Sequence, residues 1–404
     1  MAWRVRDTLT GRAAAVRPHG RTALTLYVCG PTVYDAAHVG HGRTYLYFDL
    51  VRRLAAARGV PVRHVMNITD FEDKITARAS ALGIGWRTLA QREERRFLAD
   101  CRAFGLTAPT RCPRASAFVP QMVTIARRLE QAGRVERRGD EWYYTSSEDA
   151  GPNFAVGAAL DRAAVPEPGA PPPSADHGST DFLVWKRQAA PNPSWPSPWG
   201  RGVPGWHLEC FAMAERYLGL PVDLHGGGLD LVFPHHYAEN QIARALLRRP
   251  FAHVFLHTAF VTENGRKMSK SVGNLVPLRL ALEDVGPAAL KWYLLTPPYH
   301  QPLPWRATDL EAARGEFDLL RATLREIVAP GAGGSMSAAA VRSAVTRLEA
   351  DLTDGFRVHD GLDRLRTLAG TAARSADPRV RRGERPEALR WLRRASALLG
   401  IPLA

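Results

Sequence analysis

Long apolar runs are absent: no stretch of about 18 hydrophobic residues occurs, so the sequence offers no membrane-spanning helix. The first residues, Met1 to Thr10, lack the apolar core of a secretory leader. Cysteine is scarce, with four in 404 residues, and Cys29, Cys101, Cys112 and Cys210 follow no framework spacing. That pattern excludes a disulfide-stapled module and favours a reduced, cytoplasmic protein whose thiols are free or metal-bound. Internal repeats are also missing. Acidic side chains are outnumbered, 40 Asp and Glu against 54 Lys and Arg, which leaves a net charge of +14. Such a balance favours an anionic partner, nucleic acid first, although an Arg-rich and Ala-rich proteome produces the same excess without function. The length implies two or three domains, and 45% hydrophobic with 23% charged residues is ordinary globular composition.

What is present begins at Tyr27 to Arg43. Leu24 to Val28 is a short, β-branched and aromatic run that reads as a buried parallel strand. Gly30-Pro31 ends it, and a helix is expected to start near Gly40-His41, carrying Tyr45, Leu46, Phe48, Leu50 and Val51 inward. His38-Val39-Gly40-His41 thus stands at a helix N-terminus, where orphan N–H groups and the helix dipole favour a phosphate. Val62 to Ile68 predicts a second strand and Asp70 the start of a second helix, with Thr69 or Asp70 as a cap. This βαβα order predicts a doubly wound α/β domain that binds ligands at the carboxyl ends of its strands.

Residues 85–131 have helical periodicity. Arg134 to Glu136 and Glu141 to Thr145 then form a hairpin-like patch around Gly139-Asp140. From Gly151 to Pro204 the chain is rich in Gly, Pro and Ala, with Pro171-Pro172-Pro173 its loosest part and one strand-like island at Asp181 to Lys186. Gly205 to Cys210 opens a helix. Val222 to His225 reads as a strand running into Gly226-Gly227-Gly228-Leu229-Asp230, and a helix is expected near Pro234. A strand at His253 to Val261 leads to a polar loop with Lys267-Met268-Ser269-Lys270-Ser271. Beyond Trp305 helices are expected near 307–328, 338–352, 358–373 and 386–399, with a Gly-rich linker from Ala329 to Ser335. The expected layout is a first catalytic half at 1–100, a connective insertion at 101–204, a second half at 205–304 and an all-α bundle at 305–404.

His235 and Glu239 are four apart on an expected helix and leave one face, while Cys29 and Cys210 each sit beside a turn or helix start at the same sheet edge. Two thiolates, an imidazole and a carboxylate form a tetrahedral donor set with zinc-like softness. Two buried thiols and an unrelated helix pair remain the alternative on spacing alone. Lys267 and Lys270 lie on a Gly/Ser/Asn-rich loop able to close over a triphosphate, or simply to be solvated. The triple glycine admits close backbone approach, with Asp230 as an acceptor.

The pair HVGH and KMSKS, in that order around a doubly wound domain, resembles the signature of class I aminoacyl-tRNA synthetases. The words YVCGPTVYD, GHGRT, NITDFEDKI, DFLVWK, PSWPSPWG, GWHLEC, DLHGGGLDL, FPHH and KMSKSVGN resemble the cysteinyl-tRNA synthetase family, from about residue 5 to about 375. The resemblance implies a Rossmann-type catalytic domain with an inserted connective segment and a helical bundle behind it. It also implies one zinc held by Cys29, Cys210, His235 and Glu239, which takes the substrate cysteine thiolate and prefers sulfur to a hydroxyl. Thr69, Trp206 and His207 would border the amino acid. Gly40, His41, Gly227, Asp230 and Lys270 would contact ATP, supplied with Mg²⁺ as substrate. His38, His41, Lys267 and Lys270 would serve the adenylation step, in which the cysteine carboxylate attacks the α-phosphorus. The implied partners are L-cysteine, ATP and tRNA(Cys), acting on a monomer.

Three features depart from the family pattern. His235-His236-Tyr237-Ala238-Glu239 stands where H-H-E-N-E is usual, which keeps the metal positions but changes their surroundings. Arg114-Ala115-Ser116-Ala117-Phe118 replaces R-A-T-x-H. A typical member continues past the equivalent of Ala404 into an anticodon-reading domain, so a short form lacking that domain is expected. Ala338 to Leu399 resembles the family's stem-contact bundle, and its Arg374 to Arg394 face suits phosphates. The alternative acceptor is a small amine, as in the related mycothiol-pathway cysteine ligase.

Overall fold

The computed structural model describes residues 3–146, 180–268, 273–331, 334–375 and 377–403. Pro171-Pro172-Pro173, Lys270 and part of the 329–335 linker lie outside the described residues. The chain opens with an antiparallel hairpin, β1 (Trp3–Arg6) and β2 (Ala13–Val16). The central sheet uses β3 (Leu24–Val28), β4 (Val62–Met66), β9 (Val222–Gly228) and β10 (Ala252–Thr258), all parallel, in the order β10-β9-β3-β4. Sequence order reverses between β3 and β9, which places a crevice at their carboxyl ends. β3 is buried at every residue, as a strand covered on both faces requires.

α1 (Val39–Ala57) crosses from β3 to β4 and buries Tyr45, Leu46, Phe48, Leu50, Val51 and Leu54. α2 (Asp73–Ala81) and α3 (Trp86–Ala103) follow. The helix expected from Asp70 starts three residues later, and Asp70 caps nothing there: its carboxylate accepts from the Ser116 N–H at 2.8 Å and the Ser116 hydroxyl at 2.5 Å. After α4 (Val119–Gln131) comes a separate antiparallel sheet of β5 (Val135–Arg138), β6 (Glu141–Tyr144), β7 (Phe182–Arg187) and β8 (Gly202–Pro204). Phe118, which stands where a histidine was expected, is 6% exposed and packs on Tyr217 with ring centroids 5.5 Å apart.

α5 (His207–Tyr217) leads back into the central sheet. β9 runs through the triple glycine instead of stopping at His225. An added Cβ at Gly226 would lie 2.2 Å from Phe48 Cζ and 2.4 Å from the Leu256 carbonyl oxygen, so glycine lets α1 close on the strand. The helix expected near Pro234 is present: Phe233 breaks the backbone at φ −136° and ψ 136°, and the π-helical stretch Val232–His236 runs without a gap into α6 (Tyr237–Leu247). β11 (Val261–Glu263) pairs with β12 (Arg266–Lys267) and with β13 (Leu303–Pro304). α7 (Leu278–Leu294) was not anticipated, because Gly286-Pro287 reads as a break. Gly286 is non-helical there (φ 76°, ψ 163°) and divides the span into two helical pieces across a kink, which bury Leu278, Leu282, Leu290 and Trp292.

α8 (Ala307–Ile327), α9 (Ala338–Thr353), α10 (Val358–Ala373) and α11 (Arg385–Leu399) form the helical part. It shares one apolar cluster with α1 and α7, so the bundle packs directly on the catalytic core. Lys291 of α7 joins them: its ammonium donates to the carbonyls of Gly105 at 3.1 Å and Gly400 at 2.8 Å. Burial brings its pKa down to about 8. The unfolded chain keeps that proton up to its ordinary value near 10.4, so between pH 8 and that value the unfolded state binds more protons and stability rises with pH. Lys291→Met is expected to remove this rise, seen as the difference between wild-type and variant urea midpoints from pH 7 to 10. Parallel curves would refute it. No helix among the described residues is long and apolar enough to cross a membrane.

Candidate active site and metal centre

The carboxyl edge of β3 and β9 meets the N-terminus of α1 over a cavity of about 290 Å³. Cys29, His38, Gly40, His41, Trp206 and Asp230 line it, joined by Thr32, Glu72, Lys74 and Met268. α1 begins as a capping box built from its own imidazoles. His38 Nδ1 accepts from the Gly40 N–H at 3.1 Å, and His41 Nδ1 accepts from the His38 N–H at 3.3 Å. The Val39 N–H goes to the Val276 carbonyl at 3.0 Å. Several amides expected to face a phosphate are therefore already engaged. The imidazole edges and the helix dipole present the positive end of α1 to the cavity.

Thr69 and His207 lie behind the cavity wall. Thr69, 1% exposed, donates to Glu209 Oε2 at 2.7 Å. Burial raises the Glu209 pKa well above the carboxylate range, with the Thr69 bond working against it. His207 Nδ1 lies 2.9 Å from His235 Nδ1, and burial brings its pKa down to about 3. Trp206, 37% exposed, stacks on the His235 ring at 4.1 Å and 17°. Gly227 is packed beneath the surface, its added Cβ 2.6 Å from Leu231 Cδ1. The Lys267 backbone pairs with Thr262 in the β11–β12 hairpin.

Behind Cys29 the four expected ligands come together. Cys29 Sγ and Cys210 Sγ are 3.6 Å apart, His235 Nε2 is 3.3 Å from Cys210 Sγ, and Glu239 Oε1 is 3.4 Å from His235 Nε2. The residue just past β3 is Cys29, α5 supplies Cys210, the π-helical stretch before α6 His235, and α6 Glu239. All four are buried and able to hold one metal ion. Glu239 Oε1 makes no hydrogen bond, an orphaned buried oxygen that a cation would satisfy. Burial pushes the Cys29 thiol well above its ordinary pKa, Cys210 up to about 11 and Glu239 upward, while it lowers His235. Burial thus works against the charged form of each donor, and a dication reverses that bias. The donor types and spacing fit zinc.

Three histidines escaped the sequence reading. His236 Nε2 lies 3.2 Å from Cys29 Sγ, His236 Nδ1 2.7 Å from His257 Nε2, and His225 Nε2 2.8 Å from Glu239 Oε2. The doubled histidine before Glu239 was a signal for the first; His225 and His257 looked like ordinary strand residues. A further group, His19, Asp223 and His253, lies at the opposite end of the sheet. There His19 and His253 stack at 3.8 Å, and Asp223 accepts from His19 and Thr25, so it clamps β9 to β3.

A doubly wound sheet, a histidine-capped helix over its switch point and a cavity bordered by Val261 of β11 and by Met268 match the class I aminoacyl-tRNA synthetase architecture. Methionyl-tRNA synthetase from Mycobacterium tuberculosis in complex with methionyl-adenylate shares this fold at TM-score 0.65 and 17% identity, over 95% of this chain and 92% of that one. The Agrobacterium radiobacter K84 agnB2 LeuRS chain does so at 0.65 and 10%, over 95% and 86%. Residues 15–315 match the family described as tRNA synthetases class I (C) catalytic domain. A cysteine–tRNA ligase of Thermococcus onnurineus is 38% identical over 332 residues, 81% of this chain and 68% of that protein. One from Rhodospirillum rubrum is 37% identical over 405 residues, 99% and 85%. The chain belongs to the cysteinyl-tRNA synthetase family of class I enzymes.

Proposed function

We propose that this enzyme activates L-cysteine with ATP and transfers it to tRNA(Cys) in the cytoplasm. The observation that carries the reading is the convergence of Cys29, Cys210, His235 and Glu239 on one buried point beside the cavity headed by His38 and His41. Zinc held by those four residues would bind the substrate thiolate and favour sulfur over the hydroxyl of serine. Trp206 closes the amino-acid end of the cavity, and Asp230 serves as acceptor for the nucleoside. His38 and His41 orient the ATP phosphates, and Lys267 and Lys270 neutralise charge that builds on them. The cysteine carboxylate then attacks the α-phosphorus in line and pyrophosphate departs. The terminal ribose hydroxyl of tRNA next takes the aminoacyl group and releases AMP.

Incubation with cysteine, ATP, Mg²⁺ and tRNA should produce acid-precipitable cysteine. Pyrophosphate exchange without tRNA acylation would sink the tRNA step and point to a small-amine acceptor. His41→Ala is expected to slow exchange by about 10²–10³-fold, as for loss of one preorganised donor, while zinc content stays at one per chain. Unchanged exchange kinetics would remove His41 from the reaction.

A further inference from the structure

At the amino ends of the central strands, away from the cavity, a separate group of metal-binding donors converges. Thr25, Asp223 and His253 are each the second residue of their strands, β3, β9 and β10. The parallel register sets them in one row across the sheet, and neighbours in such a row share a face. His19, on the 17–23 connection into β3, reaches that row. Its ring stacks on His253 with centroids 3.8 Å apart, and its Nδ1 lies 2.9 Å from Asp223 Oδ1. One donor atom from each of His19, Asp223 and His253 falls within 4.8 Å of the others.

Asp223 is fully buried, and its two oxygens have different tasks. Oδ2 accepts from the Thr25 N–H at 2.7 Å and the Thr25 hydroxyl at 2.8 Å, which fixes the carboxylate. Oδ1 faces His19 and accepts from its backbone N–H and its ring, both at 2.9 Å. Ligand atoms bonded to one ion at about 2.0–2.2 Å stand roughly 3–3.4 Å apart, so the Asp223–His19 pair is close to coordinating distance. A cation takes the place of the ring proton at Nδ1, which a neutral imidazole carries equally on Nε2. His253 is exposed at the rim. Partial burial, with His19, Arg21 and Arg17 beside it, lowers its pKa against the pull of Asp223, so its ring offers a lone pair.

The arginines also select the ion. Arg21 is held to the Pro221 carbonyl at 3.1 Å, and with Arg17 it sets a positive field around the row. Such a field disfavours Mg²⁺ or Ca²⁺, which bind through oxygen cages. Coordinate bonds from nitrogen overcome it, and those suit zinc, nickel and copper.

We propose that His19, Asp223 and His253 form a second metal site, which takes zinc or a similar divalent transition ion and fastens the entry of β3 onto β9 and β10. The site braces the sheet at the ends of the strands remote from the reaction, and it stands independently of the functional reading above. An ion that binds only the folded chain raises stability as its concentration rises.

The test titrates zinc into protein already holding its first zinc, and cobalt(II) into metal-stripped protein. Wild type should take a second equivalent of zinc at small excess, with a rise in melting temperature. The second cobalt equivalent should add no thiolate-to-metal absorption, because no cysteine belongs to this site. His253→Ala and His19→Ala should each lose the second equivalent and the zinc-dependent rise, yet keep the first equivalent and cysteine-dependent pyrophosphate exchange. Cys210→Ser should lose thiolate absorption and retain the second site. Because His253 is exposed, its variant decides the matter even if His19→Ala does not fold. No second equivalent in wild type, or one that survives in His253→Ala, would overturn the proposal. So would a melting temperature that rises with inorganic phosphate but not with zinc, which would make the row an anion site of histidines and arginines.

Discussion

Cys29→Ala is expected to leave the protein folded, strip it of zinc and lower cysteine-dependent pyrophosphate exchange by about 10³-fold or more. The residue belongs, with Glu239, to both overlapping donor sets, Cys29-Cys210-His235-Glu239 and Cys29-His225-His236-Glu239, so neither set keeps four donors without it. Its side chain is 5% exposed and small, so the fold loses little packing. Without a cation, burial works against the charged form of each remaining donor, raising Cys210 and Glu239 and lowering His235. Nothing then stabilises a substrate thiolate, whose free pKa is near 8.5. The more telling number is selectivity. A site that bonds one substrate atom specifically rejects the analogue lacking it by about 10⁴–10⁵, whereas a plain pocket separates near-isosteres by about 10² or less. The ratio of cysteine to serine exchange should therefore collapse toward the lower figure in Cys29→Ala. Retained selectivity in a zinc-free variant would place discrimination elsewhere.

Much of this centre could be found from the sequence, but not from spacing alone. The strand at Leu24–Val28 and the histidine-headed helix were readable because turn signals separate two distinct periodicities. Cys29 and Cys210 are 181 residues apart, and only the pairing of β3 with β9 sets α5 beside the end of β3. The triple glycine read as a loop because glycine normally breaks a strand; here it is strand because Phe48 occupies the space of a side chain. α7 was not expected, and Gly286-Pro287 does interrupt it: Gly286 is non-helical and the span is two helical pieces joined across a kink. Asp70 read as a cap by position, yet its partner Ser116 lies 46 residues on, a tertiary contact no local rule contains. The outer histidines were missed for the same reason. Their role depends on which ring nitrogen meets which neighbour, and that is decided by strand register.

Gly30→Ala is expected to destabilise the enzyme by roughly 3 kcal/mol or more and to abolish activity, although it adds one methyl group. An added Cβ would lie 1.7 Å from the Asn67 carbonyl oxygen and 3.1 Å from Met66 Cγ. The nearest obstacle is backbone, so no rotamer change relieves it. The same segments are laced by Gly30 N–H to Asn67 Oδ1 at 2.8 Å, Thr69 N–H to the Pro31 carbonyl at 3.1 Å and Val33 N–H to the Thr69 carbonyl at 3.1 Å. Separating them breaks bonds on both sides of the clash and shifts Cys29, the preceding residue, away from Cys210. The contrasting substitution is Gly315→Ala. Gly315 lies inside α8 with nothing within 4 Å of an added Cβ, so the change should stabilise by about 0.8–1 kcal/mol through helix propensity. Thermal unfolding of the two variants should therefore move in opposite directions. A Gly30→Ala protein that melts with the wild type and retains its zinc would mean that the β3–β4 exit relaxes at little expense, and would undercut the rigidity this metal centre requires.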